Sequence, residues 1–257
     1  MIYFVSDIHL GGGDRALAER TERAFCAWLD SIASDVTHLY LLGDVFDFWF
    51  EYHRVVPQGF VRVLGRLAAL TDRGVGVTLY TGNHDMWCHD YLERECGVEL
   101  VRAPRVERLG ELDIHLAHGD NMNIKGNLLL KMMNATFRSS VVRWLFGWLV
   151  HPDLAIKFGR WWSGKSRKSH GSEQISADRL DYLVDYAREH RASNGNVAAY
   201  IFGHMHLAHR RTEEGGLDVL FLSDWSRREA TYATMDADNK LNLKTFDIDE
   251  AVSRLAQ

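Results

Sequence analysis

The sequence predicts an α/β fold in which helices cover a parallel sheet and a helical insertion interrupts it. Three observations carry that expectation. Apolar, β-branched runs alternate with amphipathic segments as far as Thr81, the βαβαβ order of a parallel sheet. Five short polar motifs each follow directly on an apolar run, so their side chains would gather along one rim of the sheet. The segment 121–170 is basic and rich in tryptophan, unlike everything around it.

Ile2 to Ser6 is a short apolar run ending at Asp7 and reads as a buried strand. After the Gly11-Gly12-Gly13 loop, Asp14 caps a helix running to about Ser34, with Leu17, Phe25, Trp28, Leu29 and Ile32 largely on one face. Val36 to Leu42 is the second strand, ending at Gly43-Asp44. Pro57 is expected to open the next helix and Gly74 to close it. Val75 to Thr81 is the third strand. Beyond Cys96 come the short runs Val98 to Val101, Arg105 to Leu109 and Leu112 to Ala117, read as antiparallel additions or a second sheet. The basic segment is expected to form about three short helices, and Ser176 to His190 a regular one. Val197 to Phe202, Leu217 to Leu222, Ala230 to Met235 and Leu241 to Phe246 close the chain as strands.

A chain of 257 residues has room for one large domain, or one domain carrying an insertion. The expected division is a core of 1–120 and 171–257 around an insertion of 121–170. Composition is that of an ordinary globular protein, which argues against disorder and against a disulfide scaffold. Cys26, Cys88 and Cys96 form no CxxC pair and read as reduced thiols. A strand starting at Met1 predicts no cleaved leader, and no apolar run reaches the roughly 18–20 residues of a spanning helix. A cytoplasmic protein is expected. The whole chain carries −5, but 121–170 holds nine basic residues against Asp153 alone, a net +8, so the remainder stands at −13. Trp144, Trp148, Trp161 and Trp162 lie in the same segment, half of the eight tryptophans.

The motifs are Asp7-Ile8-His9, Gly43-Asp44, Gly82-Asn83-His84-Asp85, His118-Gly119-Asp120 and Gly203-His204-Met205-His206. Converging Asp, Asn and His side chains make a site for two hard or borderline divalent cations. Asp7 and His9, two apart at a strand end, can both turn inward. Asp44 follows Gly43, which allows close backbone approach, and can bridge. Asn83 adds an oxygen without adding charge, and His118, His204 and His206 complete the set. Taken singly, each motif has a plainer reading as a turn or a solvated polar pair. Their joint occurrence, in order and each after a strand, favours the metal reading. His38, inside an apolar strand, reads as a satisfied core histidine; His53, His89, His151, His190 and His209 read as solvated or structural.

The series Asp-x-His, Gly-Asp-x-x-Asp (Asp44 to Asp47), Gly-Asn-His-Asp, His-Gly-Asp and Gly-His-x-His resembles that of the calcineurin-like metallophosphoesterases. The resemblance implies a four-layered αββα sandwich of two mixed sheets flanked by helices. It implies one cation on Asp7, His9, Asp44 and His206 and another on Asp44, Asn83, His118 and His204. Manganese is typical of the family, with iron, zinc or cobalt in some relatives. A metal-bridging hydroxide would attack the phosphorus. His84, oriented by Asp85, would sit over the phosphate to steady the transition state or protonate the leaving oxygen.

Chain length, the stretch Gly43 to Trp49 and the helical insertion resemble the branch of that family acting on a lipid-linked UDP-sugar, UDP-2,3-diacylglucosamine, in lipid A synthesis. The resemblance implies cleavage of its pyrophosphate to UMP and 2,3-diacylglucosamine 1-phosphate. The basic, tryptophan-rich segment would be a lid that meets the inner face of the inner membrane of a Gram-negative cell. Asn121, Asn123, Arg160, Arg167 and Lys168 are the candidate substrate contacts. The enteric enzyme has arginine where this chain has His84. Another phosphodiester or nucleotide sugar therefore stays open as substrate, as does a non-catalytic scaffold of the same fold. A self-packed helical subdomain stays open for the insertion. A nucleic-acid surface is set aside, because the rest of the chain is acidic and carries no RNA or DNA motif. The sequence says nothing of oligomeric state.

Overall fold

The computed structural model describes residues 1–120, 122, 132, 136–137, 139–171 and 177–255, without the side chains of 160, 162, 165–171, 177 and 178. The elements, in order, are β1 (Ile2–Val5), α1 (Arg15–Ile32), β2 (His38–Leu42), α2 (Val61–Asp72), β3 (Gly76–Tyr80), α3 (Tyr91–Cys96), β4 (Glu99–Val101), β5 (Arg105–Leu109) and β6 (Leu112–Ala117). Then come α4 (Ser140–Leu149), α5 (Pro152–Gly171), a 3-10 turn (Ala177–Leu180), α6 (Asp181–Asn194), β7 (Val197–Phe202), β8 (His209–Glu213), β9 (Leu217–Phe221), β10 (Glu229–Met235), β11 (Leu241–Asp247) and α7 (Ile248–Arg254).

Two sheets form. One has the order β11-β10-β1-β2-β3-β4, the other β5-β6-β7-β9-β8. Strands β1 to β4 run parallel, as do β6, β7 and β9. Both faces of each sheet are covered, which is why the strands read as continuous apolar runs. Along β1 and β2, Phe4, Tyr40 and Leu42 face the space between the sheets, where Ile114, Leu116, Ile201 and Leu220 meet them. Their neighbours Tyr3, Val5, Leu39 and Leu41 pack with Phe25, Trp28, Leu67 and Leu70 of the helices. The second sheet buries Tyr200, Phe202 and Phe221 against Leu183, Val184 and Ala187 of α6. The result is the expected four-layered αββα sandwich.

Several local expectations are corrected. The helix after Pro57 starts only at Val61, because Gly59 (φ 106°) and Phe60 (φ 61°) both take left-handed backbone and turn the chain first. Strand β4 joins the first sheet parallel to β3, while β5 and β6 are the antiparallel pair that opens the second sheet. Helix α6 begins at Asp181 and runs on to Asn194. Strand β8 has no apolar pattern to announce it; it is a polar edge held by ion pairs such as Arg210–Asp218 and Arg211–Asp181. No described helix is long and apolar enough to cross a membrane.

Helices α4 and α5 sit on an aromatic platform. Phe146 packs on Phe50 and Trp87, the Tyr52 hydroxyl donates to the Val150 carbonyl at 3.1 Å, and the Trp87 indole donates to the Phe137 carbonyl at 2.7 Å. Their outer faces are bare: Trp148 is 75% exposed and Leu149 78%, and Trp144, Trp161 and Leu154 are exposed as well. The tryptophans whose side chains are described there therefore do not make a core of their own.

Candidate functional site

The parallel strands deliver their carboxyl ends to one rim, and every motif lies in a loop leaving that rim. Asp7 and His9 follow β1, Asp44 follows β2, Asn83 and His84 follow β3, His118 follows β6, and His204 and His206 follow β7. Five of these residues hold left-handed backbone: Asp7, His9, Asp44, His204 and His206, with φ between 51° and 65°. Among the described non-glycine residues only Phe60 and Asn239 share that region. Such conformations cost about 1–3 kcal/mol each and gather where function over-determines the backbone. The loops approach so closely that glycine is required beside them. A Cβ on Gly82 would lie 2.2 Å from Asp44 Oδ1, and one on Gly43 would lie 2.6 Å from His118 Nδ1.

The side chains fall into two adjoining clusters, Asp7/His9/His206 and Asp44/His118/His204, whose ligand atoms lie within 4.8 Å of one another in each. Asp44 Oδ2 joins them, 3.2 Å from His118 Nε2 and 3.9 Å from His9 Nε2. His118 donates its Nδ1–H to the Leu42 carbonyl at 2.9 Å, which leaves the Nε2 lone pair facing Asp44 and Asn83 Oδ1 at 3.3 Å. With Nε2 unprotonated, three acceptors converge there, and either a proton or a cation must stand between them. In the other cluster His9 Nε2 and His206 Nε2 stand 3.2 Å apart, and His206 Nε2 is 3.3 Å from Asp7 Oδ1. Convergent lone pairs of this kind need positive charge between them, and an oxygen and imidazole donor set fits divalent cations.

The electrostatics agree. Burial lowers the His118 pKa, but the Asp44 carboxylate outweighs it and holds the group well above its ordinary value. Burial likewise opposes protonation of His206, yet its hydrogen bonds to Asp224 and Asp7 push it up to about 10. His204 has less carboxylate support, and burial together with the charge of His118 takes it down to about 4. Protons on His118 and His206 stand where cations would.

His84 turns Nε2 toward Asp44 Oδ2 at 3.9 Å, but Asp85 is not its orienting partner. Asp85 is buried and accepts from the Gly82 amide at 2.7 Å and the Val45 amide at 2.8 Å, tying together the loops after β3 and β2. Burial and the neighbouring Asp44 push it up to about 6. The His84 ring is held at Nδ1 by the Asp47 carbonyl and the Ser163 hydroxyl, each at 2.9 Å.

Three contributors escaped the sequence reading. Asp224, in the turn after β9, lies 3.5 Å from His206 Nδ1; Asp47 lies 3.6 Å from His9 Nδ1; Ser163 reaches in from α5. Asp47 stood in a motif without a role, and the Ser223-Asp224-Trp225 turn carries no motif. That turn is fixed by Trp225, buried with Phe25 and Trp28, whose amide donates to the Asp7 carbonyl at 3.2 Å. Asn121, Asn123 and the side chains of Arg160, Arg167 and Lys168 lie outside the described residues. His38 is satisfied by Thr78 at 2.9 Å, and His190 by the Tyr200 hydroxyl at 2.9 Å.

Comparison with known proteins adds the family. The pattern of the calcineurin-like phosphoesterases matches residues 1–208. A UDP-2,3-diacylglucosamine hydrolase from Porphyromonas gingivalis is 38% identical over 250 residues, covering 91% of this chain and 94% of that protein. One of the same name from Hahella chejuensis is 29% identical, covering 95% and 98%. An archaeal phosphodiesterase of known structure superposes with a TM-score of 0.48 at 11% identity, covering 95% of this chain and 99% of that one.

Proposed function

Because the chain belongs to the calcineurin-like phosphoesterase family and is a metal-dependent hydrolase, we propose that it cleaves the pyrophosphate bond of UDP-2,3-diacylglucosamine, giving UMP and 2,3-diacylglucosamine 1-phosphate. The observation that carries this reading is one of arrangement. Two joined clusters of cation ligands lie beneath α5, whose inner side touches the site while its outer side bears exposed Leu154 and Trp161. That combination suits a substrate with a diphosphate at one end and acyl chains at the other. The relatives named for this activity align over nearly the whole chain, which supports the same choice.

Asp7, His9, Asp44 and His206 would hold one divalent cation, and Asp44, Asn83, His118 and His204 the other, manganese being the first choice and iron, zinc or cobalt the alternatives. When bound, the pair supplies an activated water and positive charge against the phosphoryl oxygens. The chain's own groups do the rest. Asp44 couples the clusters, Leu42 and Asp224 hold the outer nitrogens of His118 and His206, and His84, its Nδ1–H held by the Asp47 carbonyl, keeps Nε2 toward the site, where the second proton of its imidazolium form would pass to the departing oxygen as its bond to phosphorus breaks.

Residues 121–170 act as a lid, with α4 and α5 laying tryptophan and leucine in the interface of a membrane while basic side chains steer toward anionic headgroups. On this reading the protein works at the inner face of the inner membrane of a Gram-negative cell. Helix α5 carries positions 160, 167 and 168, from which a phosphate or sugar contact would come. Asn121 and Asn123 follow His118 closely enough to join them.

The test is UMP release from UDP-2,3-diacylglucosamine in detergent micelles with added manganese. Asp44→Asn serves as the inactive control. Turnover of bis-p-nitrophenyl phosphate without UMP release would retain the metal site and discard the lipid substrate. His84, standing where the enteric enzyme has arginine, makes that second outcome a specific alternative.

A further inference from the structure

Ser163 is 1% exposed, although it belongs to a helix whose other side is open to solvent. It is the last of three small residues, Ala155, Gly159 and Ser163, that fall on one face of α5 and are all buried. Small size is a requirement at Gly159. A Cβ on Gly159 would lie 2.3 Å from the Phe48 ring, so the helix lies directly on the loop that carries Asp47 and Phe48. At the end of this seat the Ser163 hydroxyl meets His84 Nδ1 at 2.9 Å, where the Asp47 carbonyl also stands at 2.9 Å.

The chemistry of the three atoms restricts how they pair. A main-chain carbonyl only accepts, so the Nδ1 facing it carries hydrogen, and the hydroxyl oxygen shares that hydrogen as a second acceptor. The carbonyl sets the ring's tautomer, the second oxygen on the same N–H fixes its rotation, and Nε2 is left to face Asp44 at 3.9 Å. One of those oxygens belongs to the core and the other to α5. The ring is therefore fully held only while α5 is seated on Phe48.

We propose that Ser163 is a positioning residue for His84, making the seating of α5 part of the assembly of the reactive site. The inference rests on the proposed role of His84 in phosphoryl transfer. Leu154 and Trp161, exposed on the outer side of the same helix, offer any apolar surface that α5 meets a route to this contact.

The experiment combines Ser163→Ala, Ser163→Thr and His84→Ala, singly and as the Ser163→Ala/His84→Ala double variant. All are assayed with manganese and bis-p-nitrophenyl phosphate, so that no lipid substrate is assumed. Ser163→Ala is expected to lower kcat about tenfold with KM and bound manganese unchanged, a part of the roughly 10²–10⁴ that a positioned acid contributes. Ser163→Thr, which keeps the hydroxyl, should recover most of it, and in the His84→Ala background the serine change should do nothing further. A second readout needs neither turnover nor metal. In metal-free protein, the nitrogen-15 resonance of the His84 Nδ1–H should shift and broaden in Ser163→Ala, as the ring loses one of the two oxygens that hold its rotation. Equal losses from Ser163→Ala with and without His84, a change confined to KM, or an unaltered His84 spectrum would each overturn the proposal. Wild-type protein that turns over no phosphodiester, but whose His84 spectrum responds to Ser163→Ala, would sink the reading of the reaction and leave the contact standing.

Discussion

The Asp85 carboxylate accepts the Val45 amide at 2.8 Å, joining the loop after β3 to the loop after β2. Its other oxygen takes the Gly82 amide at 2.7 Å, so one buried side chain sets the spacing between Asn83 and Asp44. Asp85→Asn would turn an amide N–H onto one of these donors. We expect a stability loss of about 1–3 kcal/mol in urea together with weaker manganese retention. His84→Ala should keep its manganese and lose turnover. Parallel measurement of metal content and urea midpoints separates the two, and full metal retention by Asp85→Asn would refute the stitching role.

Asp224 stands 3.5 Å from His206 Nδ1 and takes the Ser226 hydroxyl at 2.6 Å. A carboxylate behind a metal-bound imidazole fixes its tautomer and raises its basicity. Asp224→Asn is expected to weaken manganese binding by roughly 10- to 100-fold, read by competition with a chelating dye. Unchanged affinity would show that the turn after β9 only supports Trp225.

Trp144 and Trp148 are 61% and 75% exposed and lie outside the buried core. Replacing both with serine should move stability by no more than about 0.5 kcal/mol. Partition onto vesicles of anionic phospholipid should nevertheless fall by at least roughly tenfold, given the apolar area such rings carry. Vesicle flotation tests this directly. Unchanged partition would remove α4 from the proposed membrane surface.

His115 is buried beneath α6, with its Nε2 3.2 Å from the Tyr186 hydroxyl, and burial and the neighbouring His190 lower its pKa from 6.5 to about 3. The fold therefore prefers the neutral ring. Its contribution is whole above the ordinary value of 6.5 and drains away as pH falls from there toward 3, at about 1.4 kcal/mol per pH unit. Urea midpoints at pH 7.5, 5.5 and 4.5 should show His115→Phe, which keeps a ring against Tyr200, with a shallower acid decline than the parent. Parallel declines would mean that other groups dominate acid unfolding.

Much of the site could be read in advance because strand-end motifs are local chemistry. Asp7, His9, Asp44, Asn83, His118, His204 and His206 each sit within a few residues of an apolar run, and parallel strands bring their carboxyl ends together wherever the helices lie. Asp224 and Ser163 had no such signal. Each matters through a neighbour far along the chain, His206 in one case and His84 in the other. The expectation for Asp85 went wrong for a related reason. Adjacency to His84 said nothing of which way its carboxylate turns, and two amides left without strand partners claimed it. Strand β8 and the start of α2 were lost where polar edge residues and the left-handed Phe60 override pattern.

By itself the sequence determined the layered α/β class, the order of the motifs and the kind of ion their donors would hold, since periodicity and side-chain type are properties of neighbours in the chain. Tertiary structure alone decided that Asp44 joins both clusters, that five of the clustered residues take left-handed backbone, and that α5 places a serine on His84. Those outcomes turn on atoms brought within about 3–4 Å by loops whose paths are set by packing elsewhere, such as Trp225 against Trp28 and Gly159 against Phe48. A spacing along the chain cannot encode a distance that two separate cores fix between them.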